Sequence, residues 1–140
     1  MEEKKTYYLD ANVFIYAILN DLELGNKCRE ILRQAHLGKF KCITSCLTFD
    51  EILWNVRKIR PKEFNNICSN ILNLNIKFVE VNKIILHKMT EILKKYDLKP
   101  RDTLHLATMY VNNCKEIISE DDDFDVVEEI KRTDIMDFRM

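Results

Sequence analysis

The chain is predicted to be an α/β protein, a three-layer α/β/α sandwich around a short central parallel sheet, and two patterns carry that expectation. Short β-prone runs alternate with amphipathic helical stretches from end to end, and only two glycines and two prolines punctuate 140 residues. Strands separated by helices pair in parallel through crossovers, and a parallel sheet needs helices on both faces. An apolar content of 46% supplies a real core for a chain of this size, read here as one domain over residues 1–140.

Thr6–Leu9 reads as the first strand, ending at Asp10, and Val13–Leu19 as a strongly apolar helix with Asn12 available as its cap. Gly25–Leu37 sets Cys28, Ile31, Leu32 and Ala35 at the i, i+3, i+4, i+7 spacing of an amphipathic helix, and Gly38 closes it. Lys41–Thr44 is a second strand. Ser45 or Thr48 can cap a helix running to about Lys58, and Pro61 suits the first turn of another through about Leu72. Ile76–Val81 is a third strand, followed by a long helix from Lys83 to Tyr96 that Pro100 ends. Arg101–Asn112 is the next helix, Glu116–Ser119 a fourth strand, Phe124–Val127 a turn of helix, and Ile130–Arg132 a weak fifth strand.

Composition excludes several classes of function. Lys plus Arg number 22 against 23 Asp plus Glu, so the net charge of −1 provides no global basic field, and a polyanion must be met by local patches or metal ions. Cys28, Cys42, Cys46, Cys68 and Cys114 are odd in number and lack paired CxxC spacing, which reads as reduced thiols in a cytoplasmic protein and not as a zinc or disulfide framework. Val13–Leu19, the longest apolar run, falls short of a membrane span, and the acidic start Met1-Glu2-Glu3 lacks the basic region of a signal peptide.

The acids carry the functional information. In open parallel sheets, ligands bind beyond the carboxyl ends of the strands. Asp10 follows the first strand; Asp121, Asp122 and Asp123 follow the fourth; Asp102 opens the helix before it. Asp10 and Asp102 each have an ordinary alternative as helix caps. Glu51 lies about one turn into the helix after the second strand. It falls off the apolar stripe of Phe49, Ile52, Leu53, Val56 and Ile59 and on the face of Leu47, Trp54 and Lys58, so it faces away from the main core or is simply solvated. Asp121, Asp123 and Asp125 imitate half of an EF-hand loop, but Val126 stands where glycine is needed and Arg132 where a bidentate glutamate is needed.

Taken together, LDANVFIYA (Leu9–Ala17), TFDEILW (Thr48–Trp54), RDTLHLATMY (Arg101–Tyr110) and IISEDDDFD (Ile117–Asp125) give the chain a resemblance to the PIN-domain family of metal-dependent ribonucleases. It looks most similar to the small members that include the toxins of VapC-type toxin–antitoxin pairs. The resemblance places the family's four acids on Asp10, Glu51, Asp102 and Asp121, with Asp123 a further contributor and Asn12 and Ser119 as polar companions. It implies Mg²⁺ or Mn²⁺ as cofactor, held by Asp10, Glu51, Asp102 and Asp121, with an RNA substrate, a homodimer and a small antitoxin partner.

Carboxylate oxygens suit such hard cations. The expected reaction is hydrolysis of RNA by metal-activated water to 5′-phosphate and 3′-hydroxyl ends. Arg57, Lys58, Arg60 and Lys62 form one basic cluster and Lys94, Lys95, Lys99 and Arg101 another; Arg57, Lys58 and Arg101 are the candidates for substrate phosphates. His105, one helical turn from Asp102, could touch substrate but is expected to be a surface or partly buried histidine, and Trp54 could stack a base but is expected to be a dimer or core contact. The competing functions are an RNA processing or decay nuclease without an antitoxin and a non-catalytic PIN-like interaction module.

Overall fold

The computed structural model describes residues 3–139; Met1 and Glu2, which carry most of the acidic-start reading, lie outside the described residues. Five strands, β1 (Thr6–Leu9), β2 (Lys41–Ser45), β3 (Lys77–Val79), β4 (Glu116–Ile118) and β5 (Lys131–Thr133), pair in parallel in the order β3-β2-β1-β4-β5. Helices α1 (Ala11–Leu19), α2 (Glu23–His36), α3 (Cys46–Ile59), α4 (Phe64–Leu72), α5 (Lys83–Lys95) and α6 (Pro100–Val111) connect them, with 3₁₀ turns at Asp122–Val126 and Ile135–Asp137.

Strand alternation sorts the core into two clusters, one on each face of the sheet. Leu9, Cys42 and Ile118 join Val13, Phe14, Ile31, Ile52 and Ile71, so α1 to α4 cover one face. Their neighbours Tyr8, Ile43 and Ile117 point the other way, onto Ile85, Ile92, Leu106 and Met109 of α5 and α6. This is the three-layer α/β/α sandwich that the alternation predicts. Each fully buried aliphatic or Phe side chain contributes about 1.5–3 kcal/mol, so both layers are needed to hold the sheet.

Several boundaries differ from the sequence reading for local reasons. Of the two caps that the sequence offers for α1, Asp10 and Asn12, Asp10 takes the place, its Oδ1 accepting the Ala11 N–H at 2.7 Å. Ser45 caps α3 by accepting the Leu47 N–H at 3.0 Å, while the Thr48 hydroxyl is buried against that of Thr44. Pro61 lies in the turn ahead of α4, which begins at Phe64. The residue before a proline disfavours helix, and Arg60 accordingly leaves the helical region at the end of α3. β3 is shorter than Ile76–Val81 because it pairs only with β2, and that ladder stops at Ser45–Val79, where α3 begins.

The chain passes from β1 to β2 on one side and later crosses back to place β4 on the other side of β1. The strand order therefore reverses between β1 and β4, which opens a crevice at their carboxyl ends.

One close contact fixes how α2 enters. The Asn20 side-chain oxygen accepts the N–H groups of Leu22 at 2.8 Å and Gly25 at 3.1 Å, bringing the end of α1 against the start of α2. A Cβ at residue 25 would stand 1.8 Å from the Asn20 carbonyl oxygen. Gly25→Ala is expected to destabilise the protein by about 1–3 kcal/mol through overpacking. Urea denaturation measures this, and an unchanged midpoint would refute the contact.

Candidate functional site

Asp10 leaves the end of β1 directly beside the end of β4, because the ladder sets Leu9 opposite Ile118. Ser119 locks the two ends together. Its hydroxyl donates to Asp10 Oδ2 at 2.6 Å and accepts from the Asp121 N–H at 2.9 Å and the Asn12 side-chain amide at 3.3 Å. One donor and two acceptors are all a hydroxyl has, so this fully buried serine is saturated and holds Asp10, Asn12 and Asp121 in fixed relation.

Asp102 stands in the first turn of α6, where Pro100 starts the helix and the dipole favours an acid. Asp121 caps the 3₁₀ turn after β4 by accepting the Asp123 N–H at 2.9 Å. One carboxylate oxygen from each of Asp102, Asp121 and Asp123 lies within 4.8 Å of the others. Asp102 is only 8% exposed, and its Oδ2 is buried without a hydrogen-bond partner among the described residues. Burial, with Asp121 and Asp10 adding repulsion, pushes its pKa up to about 6. Burial raises the Asp10 pKa as well, against the opposing pull of His105, Ser119 and the Ala11 N–H.

Glu51 and His105 form the other half of the site, and here the structure corrects the sequence reading. His105 is 1% exposed, so it is a core residue and not a surface or partly buried one. Its Nε2 donates to Glu51 Oε1 at 2.7 Å and stands 3.9 Å from Asp10 Oδ1, while Nδ1 is hydrogen-bonded to the Tyr8 phenol. Burial alone would lower the imidazole pKa, but the Glu51 hydrogen bond and the Asp10, Glu51 and Asp102 charges outweigh it and raise the pKa. Glu51 thus faces the crevice and not the solvent, while its neighbour Asp50 is exposed. Of the four acids expected to hold a metal, Asp102 and Asp121 fall in the group with Asp123, and Glu51 and Asp10 lie outside it. The available signal for His105 was its i, i+3 spacing from Asp102 on one face of α6.

Arg57, Lys58 and Arg101 are all exposed. Arg101 adjoins Asp102 in sequence, and Lys99 Nζ stands 3.6 Å from Asp123 Oδ2, so α6 carries positive charge to the rim of the acids. Trp54 is 65% exposed and lies outside the core, with Lys58 Nζ 4.7 Å from its ring centre. Asp125 pairs with Arg132 at 2.8 Å, consistent with a salt-bridged turn and not a calcium loop.

The donor set fits a hard divalent cation. Asp102, Asp121 and Asp123 offer only carboxylate oxygens, and two buried acceptors, Asp102 Oδ2 and Asn12 Oδ1, lack protein partners among the described residues. Fold and site together define an open parallel α/β protein with a carboxylate-lined crevice at its topological switch point. The family model for the PIN domain matches residues 7–130, and the chain belongs to the PIN domain family.

No curated protein sequence matches the chain significantly. Among solved structures it is similar to DNA-bound VapBC from Salmonella typhimurium, with 16% identity and a TM-score of 0.72 over 95% of this chain and 99% of that one. It is similar to VapC20 of Mycobacterium tuberculosis, a sarcin-ricin-loop-cleaving toxin, with 12% identity and a TM-score of 0.70 over 87% and 95%. FitAcB from Neisseria gonorrhoeae matches with 12% identity and a TM-score of 0.70 over 94% and 99%.

Above pH 6 the ionised Asp102 carries a burial and repulsion penalty that the unfolded chain does not. As pH falls through 6 toward 4 it takes up a proton in the folded protein, and the penalty fades. Asp102→Asn should therefore stabilise the metal-free chain at pH 7 by on the order of 1–2 kcal/mol and bring no gain near pH 4. Urea midpoints in chelator at the two pH values check the sign.

Proposed function

We propose that this chain is a divalent-metal-dependent endoribonuclease and the toxin of a toxin–antitoxin pair. The observation that carries the reading is the group of Asp102, Asp121 and Asp123 within 4.8 Å, with Asp102 buried and holding an unpartnered oxygen. Membership of the PIN domain family and a fold shared with VapBC, VapC20 and FitAcB support it.

Asp102, Asp121 and Asp123 would hold the ion, Mg²⁺ or Mn²⁺, with Asp10 at the adjoining wall and Glu51 behind it. When bound, the ion supplies Lewis acidity toward a phosphoryl oxygen, lowers the pKa of water and offsets the charge of the acids. The protein's own residues do the rest. Ser119 and the Ala11 N–H keep the Asp10 carboxylate from rotating away. Lys99 and Arg101 at the rim, with Arg57 and Lys58 on α3, supply positive charge for neighbouring phosphates in a chain whose net charge is −1. The reaction proposed is attack of water on phosphorus with loss of the 3′ oxygen, giving 5′-phosphate and 3′-hydroxyl ends.

The proposed partners are RNA as substrate, a second copy of the chain, and a small antitoxin. Trp54, Ile59 and Leu72 on α3 and α4 leave large apolar side chains in solvent, the kind of surface that a partner helix covers. No helix of the described residues is long and apolar enough to cross a membrane.

Purified chain with Mn²⁺ or Mg²⁺ is expected to cleave RNA, and Asp10→Asn to lose at least about a hundredfold in rate, on the scale of lost electrostatic groups in active sites. Cleavage that persists without metal, or undiminished in Asp10→Asn, sinks the mechanism. Expression of the chain alone is expected to arrest growth, with relief on co-expression of a short neighbouring reading frame. RNA cleavage without arrest would favour a processing nuclease, and absence of metal binding by calorimetry an interaction module.

A further inference from the structure

The Glu51–His105 bond joins the two helical layers over the carboxyl edge of the sheet. Glu51 belongs to α3, packed on the face of Leu9 and Ile118, whereas His105 belongs to α6, packed on the face of Tyr8 and Ile117. Every polar atom of the imidazole is directed at the site or its support: Nε2 to Glu51 and toward Asp10, Nδ1 to Tyr8. Tyr8, fully buried on β1 two residues before Asp10, ties the ring to the strand that delivers that acid.

We propose that His105 and Tyr8 are positioning residues: His105 retains the Glu51 carboxylate in the crevice on the side of Asp10, and Tyr8 fixes the ring that does so. This rests on the nuclease reading and deepens it. Glutamate has three rotatable side-chain bonds, and in a crevice already holding four other acids it is repelled from the position it occupies unless a donor retains it. Nε2–H donates to Glu51 whether or not Nδ1 is protonated, so the hold does not depend on the charge of the ring. A buried polar group of this kind is poor value for stability compared with an apolar side chain of similar volume. Its place between two acids of the site accounts for it better than packing does.

Mn²⁺ affinity, measured by calorimetry, tests the proposal without reference to turnover. His105→Leu is expected to weaken binding by about tenfold, the scale of lost outer partners at metal sites. His105→Gln, which restores a donor near the Nε2 position, is expected to return to within about threefold of wild type, and Tyr8→Phe to lose about threefold. If His105 acts through Glu51, the Glu51→Ala/His105→Leu double variant binds no more weakly than Glu51→Ala alone. In metal-free protein, ¹⁵N-resolved imidazole spectra should show a retained Nε2 proton that Glu51→Ala releases to exchange.

Wild-type affinity in His105→Leu, additive losses in the double variant, or no retained proton in the wild type would each overturn the assignment. Should the leucine variant fail to fold, unaltered affinity in Tyr8→Phe overturns it equally. A wild-type chain that binds no Mn²⁺ instead defeats the nuclease reading itself, which separates the two failures.

Discussion

Carboxylates brought together out of water repel one another, and the organisation of this protein's crevice follows from that constraint. Asp10, Glu51, Asp102, Asp121 and Asp123 approach from four different segments, so no local sequence feature holds them together. What holds them is a small number of neutral or cationic donors: the saturated hydroxyl of Ser119, the first N–H of α1, the turn N–H of Asp123, the imidazole of His105 and the ammonium of Lys99. Asp102 keeps a buried oxygen with nothing to bond among the described residues, and burial together with the Asp121 and Asp10 charges raises its pKa. Sites that bind a ligand commonly carry unfavourable terms that the rest of the fold offsets.

The sheet makes this arrangement possible. Reversal of strand order between β1 and β4 leaves the ends of those strands uncovered, and parallel pairing aims both carboxyl ends the same way. Helices α1 and α6 then start at that edge, so their unpaired N–H groups and dipoles lower the cost of gathering acids there. The two apolar clusters set the distance between layers, and through it the reach from α3 to α6 that the Glu51–His105 bond spans. A change in core volume on either face would therefore be felt at the site.

Identities of 12% and 16% to structures with TM-scores near 0.7 show that largely different sequences reach the same fold. Alternating burial on short strands and helical periodicity between them are sufficient to specify the layers, because volume and pattern constrain a core more than residue identity does.

The sequence by itself determined the alternation of strands and helices, the parallel sheet it requires and the edge to which Asp10 and Asp121 must go, since these follow from periodicity and strand polarity within a few residues. Asp102 was legible for the same reason, as the acid that opens α6 after Pro100. The partners of those acids were decided only by the tertiary structure. Nothing near Ser119 in the chain shows that its one donor and two acceptors serve residues 10, 12 and 121. Helical spacing set Glu51 off the apolar stripe but did not distinguish solvent from crevice. His105, set among apolar residues of α6, read as an ordinary helix histidine because its acceptor lies 54 positions away on a helix of the opposite layer. Periodicity reports which way a side chain leaves its own element; what it meets there depends on how the layers pack.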